Sequence, residues 1–531
     1  MNNKFESALK ATLNDECVLT ENGANAFATS GKALVDINFA VSSLRNATAE
    51  TIQRKYQAAF YEDSLLAVKW LFFARDIRGN GMAERRLFRI CFSWLTNARP
   101  TLVKKLIPLV ANYGRFDDLF YSGFEGEMWD TVVDYVAEQL KSDIDNARED
   151  KPISLLAKWM PSINTSSSKT RALAKKLRQS LGMDEKTYRK NLSMLRAKLK
   201  LVEVNASSGN WAEIDYNAVP SMANLKYKNA FLKHDETRRR KYLADLEKPE
   251  SGAKINSSAS FPCDIVSKYV QQSCIGWYSK NFNKDDALEA MWKALPNYVK
   301  DLDNGSTIVV ADGSGSMICQ IGNSRMTALE VANSLAIYFA EKLNGEFKNK
   351  YITFSERPQY VDFSNAKSLA EKIGIALEHD ECANTNVEAV FDLLLESAKR
   401  NQLKQEDIPA NILIVSDMEF DQGTSWSGCG YSYYDRVNKY SAKRNALFES
   451  IKNKWQSAGY MLPRLIYWNV NSRTGTIPLT QNEMGVSLVS GFSPAIANMV
   501  FSAKLDPYEV LVDAINSPRY DAVEAAIKEI V

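Results

Sequence analysis

The densest chemistry in this chain of 531 residues is a run of five, Asp312-Gly-Ser314-Gly-Ser316, placed directly after the apolar stretch STIVVA. One carboxylate and two hydroxyls, separated by glycines that let the backbone curl, can turn three oxygens onto one point. Such hard oxygens suit Mg²⁺, or another hard divalent cation such as Ca²⁺ or Mn²⁺, and not zinc or copper. Mg²⁺ prefers six oxygens in octahedral array, so the loop alone cannot complete a shell. Two further positions fit: Thr385 in ECANTNVEAV, which opens a helix after a loop, and Asp417, which closes the apolar run NILIVSD. A bare strand-to-helix turn with Asp312 as a cap is the simpler alternative, but it would not require Thr385 and Asp417. No Gly-Lys-Ser/Thr follows, which disfavours a phosphate-binding loop. Ser314 and Ser316 lack a partner for nucleophilic chemistry, because the two histidines, His234 and His379, have no orienting context.

Those residues need a scaffold that brings strand ends together. From 306 onward the texture alternates: STIVVAD, KYITFSE, ANILIVSDMEF, RLIYWNV and GVSLVSGF read as strands. Helical patterns lie between them, at RMTALEVANSLAIYFAEKL and at about 365–378, 386–400 and 439–457, with more helix at the C-terminus. This alternation predicts a doubly wound α/β domain over 301–531 with a largely parallel sheet. Ligands of such sheets sit at the carboxyl ends of the strands, where Asp312 and Asp417 both fall.

Residues 1–300 read differently. Segments such as TIQRKYQAAFYEDSLLAVKWLFFARDI and MWDTVVDYVAEQLKSDI repeat apolar residues three and four apart, broken by RGNG, NYG, MPS and VPS. Paired helices in an α-solenoid of HEAT-like repeats follow from this pattern, although no clean period emerges. Within RDIRGNG, Arg75, Asp76 and Arg78 on a glycine turn fit a functional loop, but the favoured reading is structural, with Asp76 paired to an arginine and locking two helices together. Residues 169–200 carry eleven Lys/Arg against Asp184 and Glu185. Arg171, Lys175, Lys176 and Arg178 fall in one helical pattern, Arg189, Arg196 and Lys200 in another, and Arg238, Arg239 and Arg240 in the run KHDETRRRK. Stripes of this kind can neutralise phosphates and bind nucleic acid without sequence preference; the plainer alternative is a solvated helix face. The nearby aromatics Tyr188, Trp211, Tyr216, Tyr227 and Phe231 read as core.

Net charge is only +2, so any nucleic-acid affinity must be local. Seven scattered cysteines without a CxxC pair disfavour a zinc ribbon or dithiol redox site and point to reduced thiols. No secretory h-region or long apolar span is seen; LLAVKWLFFA is short and contains Lys69, so it reads as a buried helix. A cytoplasmic, membrane-free protein is expected. With no acid/base pair or cofactor loop beyond the oxygen cluster, a binding protein is favoured over an enzyme.

The order DxSxS, then a threonine, then an aspartate after an apolar strand, resembles the metal-ion-dependent adhesion site of von Willebrand factor A-type (vWA) domains. Further stretches widen the resemblance: RDIRGNGMAERRLFR, NYGRFDDLF, LLAKWMPSINTSS, YRKNLSMLRAKLKLVE, W…IDYNAVPSMA and AFLKHDETRRRKYL in the helical half, with ADGSGSM and SDMEF beyond it. Together, over roughly 30–500, they resemble the TROVE-module or Ro ribonucleoprotein family, and more closely a bacterial, phage and eukaryotic relative of it. The resemblance implies a Rossmann-like vWA domain holding Mg²⁺ through Asp312, Ser314, Ser316, Thr385 and Asp417, with one position open to an acidic partner. It also implies a helical array, able to form a ring, that binds small structured non-coding or misfolded RNA, with no DNA specificity expected. A different class of function, a protein-docking or cargo component using the metal site without RNA, fits the same residues.

Overall fold

The computed structural model describes residues 17–272, 282–300, 302, 305–322, 324–421, 447–502 and 504–530. The predicted helix at 439–457 is therefore described from Leu447 to Ser457, and its first part lies outside the described residues.

Among the described residues eight strands fall into two sheets: β1 (Cys17–Leu19) and β2 (Asn25–Phe27) form a hairpin, and six form the main sheet. These six are β3 (Thr307–Asp312), β4 (Lys350–Phe354), β5 (Gln359–Asp362), β6 (Asn411–Ser416), β7 (Arg464–Asn469) and β8 (Val486–Ser490). Their order is β5-β4-β3-β6-β7-β8, parallel except for the antiparallel edge pair β4–β5. Every residue of β3 is buried, as is β6 after Asn411. Continuous β-branched runs are what strands covered on both faces require. The short edge strand β5 has no counterpart among the predicted strands: QYVD is too brief and too polar to announce itself.

Helix Ala328–Lys342 covers β3 and β4. It starts at a capping box in which the Thr327 hydroxyl accepts from Glu330 N and the Glu330 carboxylate accepts from Thr327 N. The helices predicted from 365 and 386 begin instead at Leu369 and Glu388. Strand order reverses between β3 and β6, and the crevice above such a reversal is where ligands of these sheets bind.

Ahead of the sheet the described chain is helical from Ala33 to Lys293. Helix Ser64–Arg75 is the buried segment expected from LLAVKWLFFA, capped by the Asp63 side chain on Leu66 N. Its buried Lys69 reaches Glu524 at 2.6 Å and Asn516 at 2.7 Å. Asp76 is fully buried and does pair with an arginine, but one 443 positions away: Arg519 Nε donates to it at 2.9 Å, and Tyr520 Oη at 3.3 Å. The helical half and the C-terminal residues therefore share one core, and a continuous apolar cluster runs from Ala24 to Ile527. Among the described residues no helix is long and apolar enough to cross a membrane.

Candidate metal centre on the rim of the sheet

Asp312 is the last residue of β3 and has no exposed surface. One carboxylate oxygen accepts from Ser314 N at 2.9 Å and the other from the Ser416 hydroxyl at 2.5 Å. Ser314 and Ser316 hydroxyls lie 3.0 Å apart, and the Ser316 hydroxyl favours the charged form of Asp417. Asp312, Ser314 and Ser316 thus gather their oxygens at the strand-order reversal, with Asp417 on the neighbouring strand end. Thr385 is buried on the same rim, but its hydroxyl is tied to Asn22 Nδ2 at 3.1 Å and its N–H to Asp421 at 2.8 Å.

The glycines of the loop have a packing reason. A Cβ on Gly313 would sit 2.8 Å from both Asp380 Oδ1 and Thr353 Oγ1, and one on Gly315 would sit 2.9 Å from the Cys382 carbonyl. Backbone bonds hold that approach: Cys382 N donates to Gly313 O and Gly315 N to Ala383 O, each at 2.9 Å. Cys382 (φ 52°) and Met418 (φ 63°) take the left-handed conformation beside the cluster. For side-chain-bearing residues this costs on the order of 1 kcal/mol each and persists where surrounding contacts demand it.

Among the described residues the rim is short of cations. Burial raises the carboxyl pKa of Asp312 and Asp417 together, and the Asp312 charge pushes Asp417 further up. Asp380 is driven to about 7 by burial, with Asp312 adding to the rise. Its Oδ2 accepts from Asn333, while its Oδ1, Asn333 Oδ1 and Thr353 Oγ1 are buried without a hydrogen-bond partner. Against these stands Arg473, whose guanidinium meets Asp417 at 3.3 Å and Glu21 at 2.6 Å. Buried carboxylates and hydroxyls, with one guanidinium nearby among the described residues, make a donor set that fits a hard divalent ion. Among the described residues no three His, Cys, Asp or Glu side chains gather as a metal-binding group; the cluster depends on hydroxyls as much as on carboxylates.

Several participants lie outside the predicted set. Ser416 precedes Asp417 directly and is readable from the same run. Glu419, buried, accepts from Arg473 N, Thr474 N and Glu21 N and so fastens three segments beneath the mouth. Asn22 and Arg473 carry no local signal at all, because they arrive from 363 and 56 positions away from their partners Thr385 and Asp417.

The basic residues of the helical half fare differently. Arg239 has no exposed surface and lies among the rings of Tyr216, Phe231 and Tyr242, with centroids 4.8 to 5.1 Å from its guanidinium carbon. It cannot face RNA, which corrects the expectation that its run forms one exposed stripe: on a helix, the middle of three consecutive arginines points inward. Arg196 is half-buried on the lining of an open groove, and its three guanidinium nitrogens bind Ala157 O, Ser162 Oγ and Met160 O at 2.8–2.9 Å. Arg171 caps the Thr165 and Ser166 carbonyls, Arg178 the Met183 carbonyl, and Arg238 the Ile214 carbonyl and Asp235. Lys176 lies over Trp129 and Arg240 pairs with Glu236. Arg171, Lys175, Lys176, Arg189, Lys200, Arg238 and Arg240 are exposed, and Arg189 stands 3.9 Å from Glu185. Lys186, Arg189 and Lys190 line an open groove of about 840 Å³. Of the aromatics, Tyr188, Tyr216 and Phe231 are buried, as expected of core.

The chain belongs to a family defined by a domain of unknown function, DUF2828, whose model matches residues 20–119 and 124–307, just over half of the chain. A second domain of unknown function, DUF7788, matches residues 306–517. An uncharacterized protein of Acanthamoeba polyphaga mimivirus is 28% identical over 549 residues, covering 94% of this chain and 89% of its own length.

Proposed function

We propose that the C-terminal half is a Rossmann-like vWA domain whose rim binds Mg²⁺, or Ca²⁺ or Mn²⁺, and uses it to dock an acidic group on a partner. Asp312, Ser314, Ser316 and Asp417 would hold the ion, with Thr385 completing the set. One observation carries this reading: two buried carboxylates, Asp312 and Asp417, gather with serine hydroxyls above the strand-order reversal, and among the described residues one guanidinium, that of Arg473, reaches Asp417. Burying two carboxylates is costly unless a cation offsets them. A bound ion would supply an open coordination position for a carboxylate oxygen. The protein is then a cytoplasmic scaffold related to the Ro ribonucleoproteins, with a HEAT-like helical array, and not an enzyme.

A second reading, which can hold together with the first, is RNA binding on the helical half. The groove lined by Lys186, Arg189 and Lys190 supports it, because those three side chains are exposed together on one groove. Small structured RNA held by phosphate contacts would bind there with strong salt dependence.

Mn²⁺ titration followed by electron paramagnetic resonance tests the first reading. One bound ion per chain is expected, lost in Asp312→Ala; no binding by the unaltered chain would sink it. Cross-linking in cells with sequencing of recovered RNA tests the second. Enriched small structured RNAs, lost when Lys186, Arg189 and Lys190 are made neutral, support it, and recovery of none refutes it.

A further inference from the structure

The mouth of the candidate metal centre is not open to solvent on all sides. The hairpin connection between β1 and β2, residues 20–24, lies across it. Thr20 Oγ1 donates to Phe420 O at 2.7 Å, Glu21 N to Glu419 Oε2 at 2.7 Å, and Asn22 Nδ2 to both Thr385 Oγ1 at 3.1 Å and Glu419 O at 2.5 Å. Gly23 forms an antiparallel bridge with Asp421. The turn also braces itself. Thr20 N donates to Ala24 O and Ala24 N to Thr20 Oγ1, while Gly23 takes φ 91°, a left-handed conformation that favours glycine. Farther along, Phe27 and Ile477 exchange both backbone bonds at 2.8 Å, so the hairpin is stitched to the sheet domain on two sides.

Its side chain at the mouth is an acid. Glu21 is about half exposed and meets Arg473 Nε at 2.6 Å, while the same guanidinium reaches Asp417 at 3.3 Å. A carboxylate therefore already stands one guanidinium away from the oxygens that would hold the ion.

We propose that the turn Thr20–Ala24 is the resident occupant of the partner-docking mouth, with Glu21 in the place an acidic partner side chain would take. This rests on the metal-dependent docking reading above. Arg473 is already shared by Glu21 and Asp417, so a third carboxylate entering beside it meets both charges, and a partner must lift Glu21 away. Because Glu21 is tethered, it competes at an effective concentration of order millimolar. An acidic partner thus binds only the fraction of molecules whose turn is released, and its apparent affinity falls by that fraction. Asn22 holds the turn down through Thr385, which links release of the turn to the metal shell itself.

The test uses the full chain with saturating Mg²⁺ and a fluorescein-labelled hexaglutamate peptide as probe, with circular dichroism as the check on folding. Glu21→Gln removes the competing charge, and Asn22→Ala loosens the turn without touching that charge. If the turn is released about one time in ten, each variant should gain up to about tenfold in apparent affinity. Asp312→Ala should abolish probe binding in every background. Hydrogen exchange at the Glu21 and Ala24 amides should speed up when probe is added to the unaltered chain. Unchanged probe affinity in both variants, or unchanged exchange at those amides, overturns the proposal while leaving the metal reading intact. Failure of the unaltered chain to bind Mn²⁺ at all overturns the metal reading and this proposal with it.

Discussion

The rim of the sheet and the basic stretch of the helical half both concentrate charge, yet they dispose of it in opposite ways. On the rim, Asp312, Asp380 and Asp417 are packed among hydroxyls and amides, and among the described residues one guanidinium, on Asp417, offsets their charge. In the helices, Arg171, Arg178, Arg196 and Arg238 end on backbone carbonyls, and Arg239 is enclosed by three rings. A guanidinium has five donors in a flat fork and a weakly hydrated face, so it serves well as a structural clamp. A carboxylate only accepts, and burying it usefully requires donors or a cation. The difference explains why a count of arginines overstates the surface available to RNA, whereas three small polar residues locate the rim.

Four changes probe that contrast, in falling order of effect. Arg239→Ala empties a packed aromatic site, and urea denaturation should show a loss of about 3 kcal/mol; RNA affinity should not change. If Arg239→Ala weakened RNA binding without loss of stability, the residue would not be the internal clamp its burial indicates. On the rim, a divalent ion at about a hundred times its Kd should stabilise the unaltered chain by about 2.7 kcal/mol. Asp312→Ala should erase that gain in a thermal melt with and without Mg²⁺, and equal shifts in the two proteins would separate the cation effect from this cluster.

Asp380 gives a pH test. Its pKa in the folded chain is raised to about 7, so between pH 4 and 7 the folded state holds a proton that the unfolded state has lost. Stability contributed by this group is therefore lost as pH rises through that window. Asp380→Asn should flatten the slope and add about 1 kcal/mol at pH 8, where a fully buried group would gain more. A slope identical to that of the unaltered chain in metal-free buffer would count against burial as its cause. Smallest in stability, Arg189→Gln should change folding by less than about 0.5 kcal/mol. If the groove holds RNA, its salt slope should drop by about 1.

Much of this architecture is legible because its signals are local. STIVVAD and NILIVSD are buried β-branched runs, Thr327 and Glu330 make a helix start, and DGSGS can only pack where glycine is needed beside Asp380 and Cys382. The boundary near 300 is less so. Residues 20–46 carry the numbering of the helical half but pack on the sheet, with Ser42 bonded to Ser490 and Asn469 to Phe39. Nothing in their composition marks that, because a three-residue strand has no periodicity to detect.

By itself, the sequence determined the mixed α and α/β class, the strand ends that carry Asp312 and Asp417, and the residue types able to meet there. Folding decided which of them do meet, and what closes over them. Asn22, Glu21 and Arg473 reach the rim only through long-range packing, the first two from hundreds of residues ahead of the motif. It also decided the fate of Arg238, Arg239 and Arg240, neighbours in sequence that a helix turns about 100° apart at each step. Side-chain type is a local property; direction and enclosure are not.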